Sequence, residues 1–304
     1  MKKIETKKDG FSLSKYDAVT VTTMNHLVEI QYMEKQNHKC NIKKLSKDEY
    51  LDLDTGEIKE YEHIENREGS YNSLRQTFKK LRYLINNNFS AKRNELFITL
   101  TYRDDMKDAK RLYLDSDKFM KRLRYKYRDK TTIDYLSVIE PQGNGRWHVH
   151  CLMKFNDLHT IYIPNDVPVN APLYDLWGQG WVFIKSLNEV DNIGAYLSAY
   201  LGDIELTDKN VVLACDDECK VVEKVVDGKK KKFIKGGRLH MYPPGMNLFR
   251  KSKGIVYPDR KRMTYEEAKK IVGSAKPHYS KMINIEHEDF ENTIYYEQYN
   301  SIRL

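Results

Sequence analysis

Two patterns of apolar residues recur along the chain, and each predicts one kind of secondary structure. Apolar positions at helical spacing over 70–87 and 189–201 predict amphipathic helices. A further helix is predicted to begin at Ser116, whose hydroxyl suits an N-cap. Short runs rich in β-branched and aromatic residues predict strands at 17–32, 95–102, 131–140, 146–155 and 181–185. The chain is therefore expected to mix helices with strands.

Turn-forming residues join several of these runs into hairpins. The segment Pro141–Gly145 (PQGNG) has turn chemistry throughout and separates the third and fourth of these strands. A turn at Asp54–Gly56 and another at Asp227–Gly228 predict two further hairpins. Beyond these, the C-terminal third gives weak signals, and a short helix over 266–275 is the remaining prediction there.

The composition excludes several classes of protein. Of 304 residues, 40% are hydrophobic and 12% aromatic, which is enough for a packed core. No window approaches the roughly 20 apolar residues that cross a bilayer, and the N-terminus lacks a signal-peptide core. The 4 scattered cysteines are too few for a disulfide framework. We expect a soluble cytoplasmic protein without membrane association.

Basic residues are concentrated in two blocks. The chain carries a net charge of +8, whereas residues 107–130 alone carry +6 and residues 220–253 carry +9. The two blocks predict the walls of a phosphate-binding groove, although a solvated face is the simpler explanation of any single run. The candidate DNA-binding residues within them are Lys121, Arg122, Arg124, Lys126, Lys229, Lys230, Lys231 and Lys232.

His148 and His150 have a spacing that indicates metal binding. On a strand, residues i and i+2 point to the same face, so both imidazoles can reach one ion. Surface and core histidines often have this spacing by chance, but Glu140 strengthens the case. Its strand precedes the turn, and the hairpin brings its carboxylate beside the imidazoles. Two histidines and one glutamate leave positions open for water or a phosphate oxygen, and this donor set suits Mg²⁺ or Mn²⁺.

Two pairs of tyrosines have the spacing that places both phenols on one face of a helix. Tyr196 and Tyr200 lie on the helix predicted over 189–201, and Tyr295 and Tyr299 repeat the spacing in the acidic tail. With 22 tyrosines in the chain, chance pairs are expected. The first pair follows the histidines on an apolar helix, whereas the acidic neighbours of the second pair would repel a phosphate.

Three segments together resemble a known family. ELFITLTY (95–102), IEPQGNGRWHVHCLMKF (139–155) and IGAYLSAYL (193–201) are similar, in this order, to the three motifs of rolling-circle replication initiators of the HUH (His-hydrophobe-His) endonuclease superfamily. The central motif, a glutamate followed by the histidine pair across a glycine-containing turn, is the specific one. The resemblance covers residues 95–205, about a third of the chain.

The resemblance implies a fold and a division of the chain. The family has an α+β fold, with a central antiparallel sheet and flanking helices on a ferredoxin-like plan. The implied regions are an N-terminal strand and helix extension (1–90), an endonuclease core (91–205) and a basic C-terminal region with an acidic tail (206–304).

The resemblance also implies a reaction. Glu140, His148 and His150 would bind a divalent metal ion. Tyr196 would attack a DNA phosphodiester, giving a 5′-phosphotyrosine and a free 3′-hydroxyl, and Tyr200 would match the second tyrosine of two-tyrosine initiators. The implied partners are origin DNA in single-stranded form and, because the chain has no P-loop motif of an ATP-driven helicase, a host helicase and polymerase.

Several alternatives remain open at this point. Relaxases of the same superfamily carry their tyrosine before the histidine pair, and related transposases are usually about half as long. The lysine that the family usually carries near the tyrosines is absent, since Ala199 and Gly202–Asp203 occupy those places. A non-catalytic DNA- or RNA-binding protein is a second alternative. A zinc-binding structural protein is a third, on the strength of Cys215 and Cys219 alone.

Overall fold

The computed structural model describes most of the chain. The described residues are 3–7, 11–36, 41–46, 48–61, 71–142, 145–165, 173–187, 192–194, 197, 204–205, 221–226, 229–234, 242, 246–287 and 290–303.

The described secondary structure mixes many strands with a few helices. The N-terminal elements are β1 (Lys3–Lys7), β2 (Ala18–Met24), β3 (Leu27–Met33), β4 (Ile42–Lys44), β5 (Glu49–Asp52), β6 (Ile58–Glu60) and α1 (Tyr71–Asn88). The central elements are β7 (Glu95–Leu100), α2 (Ala109–Tyr127), β8 (Ile133–Pro141), β9 (Trp147–Phe155), α3 (Tyr174–Trp177), β10 (Val182–Ser186) and β11 (Ile204–Glu205). The C-terminal elements are β12 (Val221–Val226), β13 (Lys229–Ile234), β14 (Phe249–Lys251), β15 (Arg260–Thr264), α4 (Tyr265–Val272), β16 (Tyr279–His287) and β17 (Phe290–Asn300).

The fold is of the α+β class, as predicted, and its strands pair antiparallel. The strand runs expected at 17–32, 95–102, 131–140, 146–155 and 181–185 all form strands. The two strands on either side of Asp227–Gly228 also pair antiparallel, while these two residues themselves lie outside the described ones. No described helix is both long enough and apolar enough to cross a membrane.

Contacts divide the chain into two compact units. The first combines residues 1–64 with residues 258–304, and the second contains residues 65–257. The first unit therefore joins both ends of the chain. The regions predicted from the sequence were instead defined by motifs and by charge.

The first unit contains a six-stranded antiparallel sheet with the order β1-β16-β17-β3-β2-β15. A capping box between Thr264 and Glu267 begins α4, because each side chain bonds the backbone N–H of the other residue. Ala268 of this helix is fully buried in a cluster with Val19, Val21 and Ile30 of the sheet. Strands β4, β5 and β6 form a separate three-stranded sheet in the same unit.

Glu297 of β17 is the centre of a buried polar network in the first unit. Only 5% of its surface is exposed. Its carboxylate accepts hydrogen bonds from the hydroxyls of Tyr265, Tyr295 and Tyr299 at 3.0, 3.2 and 2.6 Å. Lys269 Nζ in turn donates to the Tyr299 hydroxyl at 2.8 Å. The network joins α4 to the sheet through satisfied polar groups.

Replacing Glu297 by alanine is expected to lower the free energy of unfolding of the first unit by about 3 kcal/mol, because the buried hydroxyl of Tyr299 and the partly buried hydroxyls of Tyr265 and Tyr295 lose their acceptor. Urea unfolding followed by circular dichroism measures this change. Glu291→Ala is the matched control, since Glu291 is an exposed glutamate of the same strand. Equal stabilities of the two variants would contradict a stabilising role for the network.

The second unit is built on a five-stranded antiparallel sheet with the order β10-β7-β9-β8-β14. Alternate residues of each strand enter two different cores. Leu100 and Cys151 pack with Leu112, Phe119 and Leu123 of α2 and with Trp177 of α3. On the opposite face, Leu136, Val138 and Leu152 pack with Leu81, Leu84 and Ile85 of α1. The sheet thus lies between two helical layers. Strands β11, β13 and β12 form a further three-stranded sheet.

The start of α2 differs from the prediction. The helix begins at Ala109, and the side chain of Asp108 caps it by accepting from the backbone N–H groups of Lys110 and Arg111. Ser116 lies inside the helix, where its hydroxyl donates to the carbonyl of Leu112 at 2.7 Å. Serine suits both roles, since its hydroxyl can bond either an N–H at a helix start or a carbonyl one turn back.

Candidate active site

The β8–β9 hairpin places Glu140, His148 and His150 on one face of the sheet. Glu140 lies directly opposite His148 in the register, and His150 lies opposite Val138 on one side and Thr99 on the other. Directly opposed residues share a face, as do residues two apart on one strand. This face is the one covered by α1, because Val138 packs in that core.

His150 is held by contacts from the two neighbouring strands, β7 and β8. Its Nε2 bonds Oε2 of Glu140, and its Nδ1 lies 3.1 Å from the hydroxyl oxygen of Thr99. The ring of Phe97 stacks on the imidazole, with ring centroids 5.5 Å apart and an interplanar angle of 6°. Because a carboxylate only accepts, the neutral imidazole donates from Nε2 to Glu140 and accepts at Nδ1 from Thr99. The imidazole is therefore fixed in position and in tautomer.

Both histidines are neutral at neutral pH. Burial lowers the pKa of His150 to about 4. Burial, together with the neighbouring His150 and Arg146, also lowers the pKa of His148 to about 4. A neutral imidazole is the form that binds a metal ion.

Glu140 and His150 contact each other, and His148 lies beside them. Glu140 is 7% exposed, and 16% of the His150 side chain is exposed, so the pair is reachable from one side. The ring centroids of His148 and His150 are 6.4 Å apart. In this side-chain arrangement, the described residues contain no set of three His, Cys, Asp or Glu side chains spaced as a metal centre. The donor types still fit a divalent ion. An ion bound at Nε2 of His150 would replace the direct contact of Nε2 with Glu140, and the ring proton would then lie on Nδ1 and be donated to the Thr99 hydroxyl, which is the kind of outer partner that orients such ligands.

The segment that carries the predicted tyrosines approaches the same face. The N–H of Gly194 donates to Oδ1 of Asn86 on α1 at 2.8 Å, and Nδ2 of Asn86 donates to Oδ1 of Asn192 at 3.2 Å. Ile193 and Leu197 are buried in the core that contains Val138. Tyr196 and Tyr200 themselves lie outside the described residues, as do Cys215 and Cys219.

Replacing Gly194 by alanine is expected to slow nicking of single-stranded DNA about 10- to 100-fold, because misplacing a reactive group by about 1 Å has this effect. An added Cβ would lie 2.6 Å from Asn86 Oδ1 and 2.9 Å from the Arg82 carbonyl oxygen, so the segment must move away from α1. Single-turnover rates at saturating oligonucleotide measure the effect separately from affinity.

Asn86→Ala tests the same anchor without a steric clash, since it removes both hydrogen bonds to the segment. It is expected to slow the same step, with a smaller effect. Wild-type single-turnover rates in both folded variants would show that the position of this segment is not important for the reaction.

The second tyrosine pair is unsuited to nucleophilic attack. Tyr295 and Tyr299 lie in strand β17 of the first unit, and both hydroxyls donate to Glu297. Burial and Glu297 raise the pKa of Tyr299, which disfavours the phenolate. The acidic environment expected from the sequence is therefore present, in the form of one buried carboxylate.

Most of the first basic block lies in α2. The helix α2 packs on the sheet face opposite Glu140 and His150. Its four candidate DNA-binding residues are all exposed on that opposite layer, and they are Lys121, Arg122, Arg124 and Lys126. Contact with DNA elsewhere stays a prediction for them. The backbone of Lys229, Lys230, Lys231 and Lys232 lies in β13, and their side chains are outside the description.

Three residues that contact the site were not found from the sequence. Thr99 and Phe97 contact His150, and Asn86 anchors the segment around Gly194. The alternation in ELFITL puts Phe97 and Thr99 on one strand face, but it does not reveal that β7 lies beside β9. Which strands lie side by side depends on the order of strands in the sheet, and local alternation does not determine that order.

Comparison with known proteins gives a match to a family model. No curated protein matches the chain significantly. Residues 95–205, from β7 to β11, match the model of a family of replication-associated proteins of the ORF2 type. The matched span contains Glu140, both histidines and the tyrosine-bearing segment. The similarity supports a role for this chain in initiating DNA replication, through a region that has the fold and the site described above.

Proposed function

We propose that the protein is a rolling-circle replication initiator of the HUH type, which nicks and rejoins single-stranded DNA in a metal-dependent reaction. The observation that carries this proposal is the contact of Glu140 with His150 on the β8–β9 hairpin, with Ile193 and Leu197 packed on the same sheet face. The family match over the same residues supports it.

The proposed roles follow from the chemistry of the groups. Glu140, His148 and His150 would hold Mg²⁺ or Mn²⁺, which when bound neutralises charge on the scissile phosphate. Thr99 and Phe97 keep the imidazole of His150 in place. Because burial lowers the pKa of both histidines, neither competes with the ion by binding a proton at neutral pH.

Tyr196 is the proposed nucleophile. Its oxygen forms a bond to phosphorus, the bond from phosphorus to the 3′ oxygen breaks, and the phenolic proton leaves as the 3′-hydroxyl gains one. The phosphate stays on the 5′ end as a phosphotyrosine ester, so its bond energy is retained and rejoining needs no ATP. Tyr200 is the proposed acceptor in a second transfer. Tyrosine is a weak nucleophile at its ordinary pKa of about 10, so a nearby cation is needed to assist it.

The proposal includes partners and a location. Origin DNA presented as a single strand is the substrate, and a host helicase and polymerase extend the 3′-hydroxyl, because the sequence has no P-loop motif with which to drive unwinding. We place this activity in the cytoplasm, where these partners work.

Nicking of a labelled single-stranded oligonucleotide from the origin of the element tests the proposal. We expect cleavage with Mg²⁺ or Mn²⁺, none in EDTA, and a protein–DNA adduct that carries the 5′ end of the downstream product. Tight binding without cleavage under any of these conditions would favour the alternative of a non-catalytic nucleic-acid-binding protein.

A further inference from the structure

Phe183 is an exposed aromatic residue on the edge strand of the catalytic sheet. Strand β10 is the edge of the five-stranded sheet and pairs only with β7 among the described strands. The ring of Phe183 is 57% exposed, although the neighbouring Ile184, which faces the other core, is buried. Soluble proteins usually protect sheet edges from bulky apolar side chains, because such edges promote aggregation. We therefore expect a binding partner to cover the exposed ring of Phe183.

The register places Phe183 in line with the candidate site. Phe183 lies opposite Thr99, and Thr99 lies opposite His150. Directly opposed residues share a sheet face, so Phe183, Thr99 and His150 form one row across three strands. Strands are about 4.8 Å apart, which puts Phe183 about 10 Å from His150 along this row.

The rest of this sheet face is covered, which leaves the β10 side as the approach. Val138 and Leu152 are buried beneath α1 and the side chains of Ile193 and Leu197. Lys185 follows Phe183 on the same face of β10, opposite Phe97, whose ring stacks on His150. An exposed aromatic ring and a lysine therefore lie side by side, next to the residues that would hold the scissile phosphate.

We propose that Phe183 stacks against a base of the single-stranded DNA substrate a few nucleotides from the cleavage position and so positions the strand. This inference rests on the proposed function. A distance of about 10 Å corresponds to about three nucleotides at the 3.4 Å rise of a stacked strand. Stacking on aromatic side chains beside basic residues is the usual way in which proteins hold single strands without reading their sequence. Lys185 adds the charge that a phosphate of the same strand requires.

The occupant is a nucleic acid base rather than an apolar peptide or a lipid. One ring with a lysine beside it offers far less apolar area than a peptide groove or a lipid surface needs, whereas a single base covers one ring. The net charge of +8 of the chain also favours a polyanion.

Binding of a fluorescent homothymidine oligonucleotide in EDTA tests the proposal, because cleavage is then absent. We expect Phe183→Ala to raise Kd about 5- to 100-fold, which is the range that loss of one stacked base produces. Phe183→Trp should bind within about twofold of wild type, because its larger ring still stacks, and Phe183→Leu should bind like Phe183→Ala. Since Phe183 is exposed, these variants are expected to fold normally.

An abasic oligonucleotide of the same length separates stacking from charge. On this strand, Phe183→Ala should bind like wild type, while Lys185→Ala should weaken binding to both strands and lower the salt slope by about 1. Tyr162→Ala is the matched control, since Tyr162 is 82% exposed in the loop that follows β9 and lies outside both basic blocks.

Two outcomes would overturn the proposal. One is an unchanged Kd of Phe183→Ala for the homothymidine strand. The other is an equal loss with the abasic strand or with Tyr162→Ala, which would indicate a general effect on the surface. All of these measurements record binding of DNA in the absence of cleavage. A failure of the proposed nicking activity would be detected in a different experiment, with the wild-type protein and metal present.

Discussion

The His150→Ala variant is expected to nick single-stranded DNA at least about 10³-fold more slowly than the wild-type protein, while it binds the strand with nearly the same affinity. A bound divalent ion contributes several kcal/mol to stabilising the charge of a phosphoryl transition state, and removing a ligand loses most of this. The contact of His150 with Glu140 and its stacking on Phe97 make it the best-anchored of the three proposed ligands.

Graded variants distinguish a ligand role from a structural role. Glu140→Gln keeps the size of the side chain and should lose both nicking and Mn²⁺ binding measured by calorimetry. Thr99→Val removes the hydroxyl next to Nδ1 of His150, and it should cost about 10- to 100-fold in metal affinity or rate, as outer partners of metal ligands do.

His159→Ala is the control for this series, since His159 is an exposed histidine in the loop that follows β9. It should nick and bind metal normally. Full activity of a folded His150→Ala protein in Mg²⁺ would rule out the proposed metal centre. So would calorimetry showing that Glu140→Gln binds Mn²⁺ as tightly as the wild type.

The Tyr196→Phe variant is expected to form no covalent adduct with a labelled oligonucleotide, because it lacks the oxygen that would attack phosphorus. Tyr200→Phe should still form the first adduct and should fail to transfer the strand a second time. Side chains four apart on a helix are about 5–6 Å apart at Cβ, so both phenols can serve one phosphate. Denaturing gels of the labelled protein measure both steps.

Tyr295→Phe is the matched control, because Tyr295 belongs to a pair with the same spacing that lies in a strand of the first unit. It should form the adduct at the wild-type rate. An adduct that forms normally in Tyr196→Phe would show that Tyr196 is not the nucleophile. If Tyr200→Phe nicks, rejoins and terminates normally, the protein uses a single tyrosine.

Local sequence patterns predicted most elements of the catalytic sheet. The β8–β9 hairpin was predicted from β-branched runs on both sides of PQGNG, and its register brings Glu140 beside the histidines as expected. The predicted start of α2 was wrong. Both Asp108 and Ser116 are good capping residues, and the sequence does not show which of them caps the helix. Strands β16 and β17 were missed, since their mixed polar and aromatic residues lack clear alternation.

The sequence by itself determined the α+β class, the hairpin with Glu140, His148 and His150, and the family resemblance, because each depends on residues close together in the chain. Only the tertiary structure decided that β7 lies between β9 and β10, which brings Thr99 to His150 and puts Phe183 in the same row. It also decided that residues 258–304 join residues 1–64, and that α2 lies on the face away from the site. The physical reason is that hydrogen bonds between distant strands are made by identical backbone groups. Which strands become neighbours therefore depends on how all the apolar faces are buried together, and no single segment carries that information.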